Sequence, residues 1–358
     1  MAIPFDPKEL AVAGEHKNFR GVTPLYTFPV SRREAYVSCL RDRKPIWQLS
    51  GIECKFFIPR FIPDNKARAL VMESRPFDNL TEGGGNDMFG IPWEYVPVAQ
   101  GSMEVHGSEI MDDANDWPEK VVWPDIDSWD WEGSAEENKD FFNDDTAYQT
   151  WFQTGWFERL ISLMGFENAA MALIDEEQEE AVLSFFDKLA DLYCAIIDKY
   201  VKHFPKIDLF YMHDDWGSQK ETFFAPEVVE RMLVPSMKKV TDHIHSLGKI
   251  AELHSCGQIM RQVPNMIKAG WDTWSGQSMN DSAALYEQYG DKIVIGVHAP
   301  VFDPETTTEE EQRQMARDFA AKFCNPKKPS VVAFGSGTFT DAYREELYKQ
   351  SRILYSAE

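Results

Sequence analysis

The sequence is short of positive charge: its 36 Lys and Arg stand against 59 Asp and Glu, a formal net charge of −23 over 358 residues. Nucleic acids and anionic membranes are bound chiefly by clustered Lys and Arg that neutralise phosphate, and no such cluster is present. Neither partner is expected. No stretch reaches the roughly 18 uncharged apolar residues of a membrane helix, and Met1 to Glu15 carries Lys and Glu without an apolar signal core. A cytoplasmic location is therefore expected. The five cysteines, Cys39, Cys54, Cys194, Cys256 and Cys324, are too few and too scattered for the dense disulfide framework of a small secreted domain. A glycine-rich phosphate loop is missing too, since neither Gly83-Gly84-Gly85 nor Gly335-Ser336-Gly337 has the dinucleotide spacing. What remains is ample core material, 43% hydrophobic and 13% aromatic, which excludes a disordered chain.

Residues 1–30 contain proline and lack a clear period, so an irregular arm is expected there. Ser31 with Glu34 three residues on has the spacing of a helix N-terminus, and Pro45 stops that helix. From Ile46 to Trp131 short apolar runs (Cys54 to Ile58, Ile91 to Val98, Lys120 to Trp123) alternate with loops and read as strands. Beyond Thr146 the pattern becomes regular. Glu177 to His203 repeats apolar residues every three or four positions, as an amphipathic helix does. Strand-like runs at Ile207–His213, Lys249–Ser255, Trp271–Ser275, Lys292–Val297 and Val331–Phe334 each lead into a helical pattern: Ala225–Leu247, Gln258–Ala269, Ser282–Tyr289, Thr308–Phe323 and Asp341–Tyr355. Repeated strand-then-helix units imply parallel pairing, because a parallel crossover needs a helix-length span. An open doubly wound sheet shows the same alternation, but without its nucleotide loop the length favours a single (β/α)8 TIM barrel over residues 31–358.

Barrel sites gather at the C-terminal strand ends, and there the polar residues concentrate. The runs end in His213-Asp214-Asp215-Trp216, His254-Ser255-Cys256-Gly257, Gln277, His298 and Ser336. Strand residues two apart share a face, so Glu252, His254 and Cys256 can reach one point. Thiolate with imidazole suits Zn²⁺, whose catalytic sites use about three protein ligands and keep one position for substrate. On spacing alone, a structural histidine beside a buried cysteine is the competing reading. Asp214 and Asp215 read equally as turn residues or as acids at the mouth, and His298 as a hydrogen-bonded histidine or a catalytic one. Most tryptophans, among them Trp156, are core by default, and a minority wall a pocket.

These segments, Phe157-Glu158-Arg159-Leu160 with Gly165-Phe166-Glu167, Asp214-Asp215-Trp216-Gly217-Ser218-Gln219 and His254-Ser255-Cys256-Gly257, resemble the corrinoid-dependent methyltransferase branch of the uroporphyrinogen decarboxylase superfamily. The resemblance implies a (β/α)8 barrel with its site at the C-terminal mouth. The decarboxylases' Arg-Gln-Ala-Gly-Arg clamp is absent, since the matching stretch reads Ile-Trp-Gln-Leu-Ser-Gly, and Ser336 stands at the position that matches the second zinc cysteine of the thiol methyltransferases. We therefore expect an O-demethylase methyltransferase that moves a methyl group from a small methyl ether, a methoxylated aromatic, to the cob(I)alamin of a separate corrinoid protein. A zinc-dependent methylcorrinoid:thiol methyltransferase and a uroporphyrinogen decarboxylase-like decarboxylase are the alternatives. The residues expected to act are Asp214, Asp215 and His298 as catalytic groups, Trp216, Gln277 and Trp156 around substrate, and His254, Cys256 and Glu252 at a metal. A homo-oligomer is compatible with this reading.

Overall fold

Apolar runs of four to seven residues, each followed by an amphipathic stretch, fold as the alternation predicts. The computed structural model describes residues 3–18, 21–98, 101–333 and 335–357. It is a mixed α/β structure that divides into two units, one of residues 56–143 and 148–271, the other of residues 1–55, 144–147 and 272–358.

In the larger unit a three-stranded antiparallel meander, β1 (Gly85–Asn86), β2 (Pro92–Val96) and β3 (Gly101–Glu104), precedes three parallel strands. These are β4 (Ala147–Phe152, belonging here from Tyr148 on), β5 (Ile207–His213) and β6 (Ile250–His254). Their register sets Trp151 opposite Tyr211, Tyr211 opposite Glu252, and His213 opposite His254. Every residue of β5 is buried, as a parallel strand covered on both faces requires. The β4 to β5 crossover runs through α1 (Trp156–Met164), a short helix at Phe166–Ala172, and α2 (Glu179–His203). The buried residues of α2, from Val182 through Phe186 and Tyr193 to Tyr200, are those its three-and-four spacing marks.

The expected helix over Ala225–Leu247 is two: α3 (Pro226–Met232) and α4 (Val234–Ser246), followed after β6 by α5 (Val263–Ala269). Pro235 accounts for the division, because it offers no N–H and its ring clashes with the carbonyl four residues back. Lys120–Trp123 forms no strand; Lys120 ends a short helix begun at Trp117. A buried ion cluster ties the meander to α1. The fully buried Arg159 donates to Asp87 at 2.7 Å and to Asp64. Asp87 also accepts the N–H groups of Phe89 and Ile91 and the Trp93 indole, and Asp64 accepts the Met88 N–H.

In the smaller unit the expected irregular arm is replaced by a short helix at Pro7–Leu10 and an antiparallel pair, Val12–Asn18 with Gly21–Tyr26. Its weak apolar period hid the ladder, and Pro24 lies within one of the two strands. The Arg32–Leu40 helix begins as predicted, with the Glu34 N–H donating to Ser31 Oγ at 3.0 Å. Three further strands, β7 (Thr273–Trp274), β8 (Val294–Val297) and β9 (Ser330–Val332), are parallel and alternate with α6 (Ser282–Tyr289), α7 (Glu309–Phe323) and α8 (Asp341–Ser356). The predicted last strand reached Phe334, which lies outside the described residues. Among the described residues no helix is long and apolar enough to cross a membrane.

Glu9 joins the two ends of this unit. Its carboxylate accepts Tyr348 Oη–H at 2.6 Å and two Arg352 donors at 2.8 and 3.0 Å. Burial works against the charge, but the hydrogen bonds from Arg352 and Tyr348 outweigh it and hold the Glu9 carboxyl below the usual glutamate range. A depressed acid stabilises the fold above its unfolded pKa, and that contribution is lost as pH falls through its folded value. E9Q is expected to melt below wild type at pH 7, and the gap to close as the pH falls below the usual glutamate range. A melting-temperature gap that persists in acid would refute the linkage.

Candidate metal centre

Four donor residues meet at the C-terminal ends of β5 and β6. One ligand atom from each of His213, Asp215, His254 and Cys256 lies within 4.8 Å of every other. The chain achieves this by using the same spacing twice. His213 and Asp215 are two residues apart at the end of β5, His254 and Cys256 two apart at the end of β6, and the register lays the histidines side by side with ring centroids 5.1 Å apart.

The intervening residue, Asp214, points elsewhere. It is fully buried, and its two oxygens accept the Glu158 N–H at 3.0 Å and the Trp216 indole N–H at 2.8 Å. Glu158 is the third residue of α1, whose own N-cap, Gly155, has no side chain, so Asp214 caps that helix from the neighbouring strand end. A Cβ on Gly155 would come within 2.5 Å of the Asp214 Cβ, so glycine is what allows this approach. Burial raises the Asp214 carboxyl to about 7 against the hydrogen bonds it accepts. Gly257, at φ +94°, plays the matching part after Cys256, because a Cβ there would lie 2.3 Å from the Gly217 carbonyl oxygen.

Each donor is oriented by a second group. His213 Nδ1 faces the Gln153 carbonyl oxygen at 3.0 Å and Glu158 Oε2 at 3.2 Å, both acceptors, so this nitrogen carries a proton and Nε2 turns to Asp215 Oδ1 at 3.2 Å. His254 Nδ1 meets Tyr211 Oη at 3.0 Å, and its Nε2 lies 3.4 Å from Cys256 Sγ. Asp215 Oδ1 also accepts the Cys256 backbone N–H at 2.6 Å.

The electrostatics follow from these contacts. Burial opposes charge on His213, but Glu158 first and then Asp215 and Cys256 push its pKa well up. Asp215 is held far below its usual range because the His213 imidazolium and the Cys256 N–H outweigh its burial. His254 is brought down to about 4 by burial and by repulsion from His213, which leaves a neutral ring. The Cys256 thiol is raised by burial.

Metal–ligand bonds of roughly 2.0–2.3 Å in a tetrahedron place ligand atoms about 3.3–3.8 Å apart; the His213–Asp215 and His254–Cys256 separations, 3.2 and 3.4 Å, are close to that range, and no separation in the set exceeds 4.8 Å. Two imidazoles, a carboxylate and a thiol suit Zn²⁺.

Of the expected site residues, His254, Cys256 and Asp215 are brought together, and His213, not foreseen as a ligand, joins them. Glu252 lies outside the group. It is buried without a hydrogen-bond or ion-pair partner among the described residues, and burial alone carries its carboxyl to about 8. Trp156 and Trp216 are fully buried in the core. The ring beside the histidines is instead Trp151, with centroids 5.9 Å from His213, 5.8 Å from His254 and 4.8 Å from Tyr211. Its place is set by the β4–β5 register, which pairs it with Tyr211, and no sequence spacing marked it. His298 and Gln277 belong to the other unit. There His298 Nδ1 sits 3.0 Å from Ser282 Oγ and borders a cleft of about 520 Å³, while Gln277 is exposed.

No family model matches this sequence, and a search of curated proteins found no match. Among solved structures, the chain is similar to a methyltransferase from Methanosarcina mazei, with a TM-score of 0.54 and 12% sequence identity over 90% of this chain and 98% of that one. At that identity the likeness establishes a shared fold.

Proposed function

We propose that this protein is a cytoplasmic methyltransferase that moves a methyl group from a methoxylated aromatic ether to the cob(I)alamin of a separate corrinoid protein, on a single (β/α)8 barrel. The observation that carries the reading is the pairing of His213 and Asp215 with His254 and Cys256 at adjacent strand ends, on a chain whose fold resembles that of a methyltransferase.

The reaction breaks the methyl carbon–oxygen bond and forms a carbon–cobalt bond with the electron pair of cob(I)alamin. The ether oxygen then leaves with charge that must be stabilised, because a phenoxide is a poor leaving group. His213, Asp215, His254 and Cys256 would hold a Zn²⁺, which supplies a Lewis acid for that oxygen. Tyr211 and Glu158 orient the two imidazoles, and Asp214 fixes the loop that carries Asp215. Trp151 and Tyr211, with Phe56 at 5.8 Å from Trp151, offer aromatic faces to an aryl ether.

The deciding assay supplies reduced corrinoid protein and a panel of methoxyaromatics and follows methylcobalamin absorbance. Methylation of cobalt with at least one aryl ether, and none with its demethylated phenol, is the expected result. Methyl transfer from methylcobalamin to a thiol, or release of CO₂ from a carboxylated substrate without any cobalt methylation, would replace this reading.

A further inference from the structure

A largely buried ladder of charged and aromatic groups runs from the meander to His213, the ring through which it meets the donor cluster. Glu158 Oε2 lies 3.1 Å from Arg68 Nη1 and 3.2 Å from His213 Nδ1. Arg68 Nη2 approaches the same Nδ1 at 3.3 Å. With Nδ1 protonated, both groups are donors, so Glu158 is what reconciles them by accepting from each. The Arg68 guanidinium is itself fixed, lying 4.7 Å over the ring of Trp93 on β2. The Trp93 indole donates to Asp87, which in turn holds Arg159. Consecutive residues of α1, Glu158 and Arg159, thus anchor the two ends of one network.

We propose that Glu158, gripped by Arg68, is a positioning residue that keeps the proton of His213 on Nδ1 and aims Nε2 into the His213–Asp215–His254–Cys256 cluster as a metal ligand. The inference rests on the metal centre read above. Its physical basis is general: a ligating imidazole is oriented and made more basic by the acceptor on its other nitrogen, and losing that acceptor costs metal affinity. A carboxylate does this more strongly than the neutral Gln153 carbonyl, because the bond is charge-assisted. Arg68 is needed in turn, since its guanidinium, 3.1 Å from Glu158 Oε2, holds that carboxylate toward His213. The cluster's other histidine has a neutral counterpart, Tyr211, 3.0 Å from its Nδ1, so the two rings are held by unlike partners.

The test uses the full chain, stripped with chelator and titrated with Zn²⁺ against a chromophoric competitor, then with Co²⁺ to read the visible ligand-field bands. E158Q preserves side-chain shape but removes the charge, and should bind Zn²⁺ on the order of 10- to 100-fold more weakly with shifted Co²⁺ bands. R68M should weaken binding in the same direction, and R68K, which restores the charge beside Glu158, should recover part of the loss. A purely structural role would not separate R68K from R68M in the Co²⁺ spectrum when all variants melt alike. Wild-type Zn²⁺ affinity and Co²⁺ bands in both E158Q and R68M would overturn the assignment while leaving the metal centre intact. Failure of the wild-type chain to bind either ion would overturn both.

Discussion

Replacing Cys256 by Ser, or His254 by Ala, is expected to strip the protein of zinc and to reduce cobalt methylation by roughly a thousandfold or more, the scale of a Lewis acid worth several kcal/mol at the leaving oxygen. The sulfur matters because a serine hydroxyl is a far poorer ligand for Zn²⁺ than thiolate. Each substitution removes one of four donors that lie within 4.8 Å of one another. Elemental analysis of protein purified from zinc-supplemented cells, beside the methylcobalamin assay, checks both halves. If C256S and H254A retain wild-type zinc, the cluster is not the metal centre; if they lose zinc yet transfer methyl groups at the wild-type rate, the metal is structural.

The second large effect concerns the fold. Arg159 is wholly buried between Asp64 and Asp87, and removing one partner of a buried ion pair typically costs about 3–5 kcal/mol because the remaining charge stays unpaired. R159M should therefore lower stability by about that amount, with two carboxylates left facing each other. Adding D64L to R159M should restore part of the loss, since one stranded charge then goes too. Asp87 is a poorer choice for rescue, because it also accepts two backbone N–H groups and the Trp93 indole. Denaturant unfolding of the single and double variants measures this; R159M unfolding within 1 kcal/mol of wild type, roughly the scale of an ordinary surface ion pair, would refute it.

The strand and helix order of the second half was legible because both periods are strong there. Ile207–His213 and Ser282–Tyr289 match the observed bounds, and the buried face of α2 is the one its spacing marked. The first half was less legible for a physical reason. Its strands are two to seven residues long, and its order depends on contacts such as Arg159 to Asp64 that are 95 residues apart in sequence. At the site, His254 and Cys256 could be paired from spacing alone. His213 and Asp215 show the same spacing, but the intervening acid drew the reading toward an Asp-Asp pair. Only the register of β5 against β6 shows that His213 faces the cluster and Asp214 faces α1. Tryptophan count marks aromatic bulk without its direction, and only the register shows that Trp151, set beside Tyr211, is the indole nearest the histidines, while Trp156 and Trp216 are buried.

Because His213, Asp214 and Asp215 serve alternate sides, the length of this tripeptide is as constrained as its composition. Deleting or inserting one residue would exchange the helix-capping acid with a donor and disable both tasks at once. Combinatorial libraries aimed at new donors or new acceptor molecules should therefore vary side chains here at fixed length and confine changes in loop length to positions beyond the Trp216 indole.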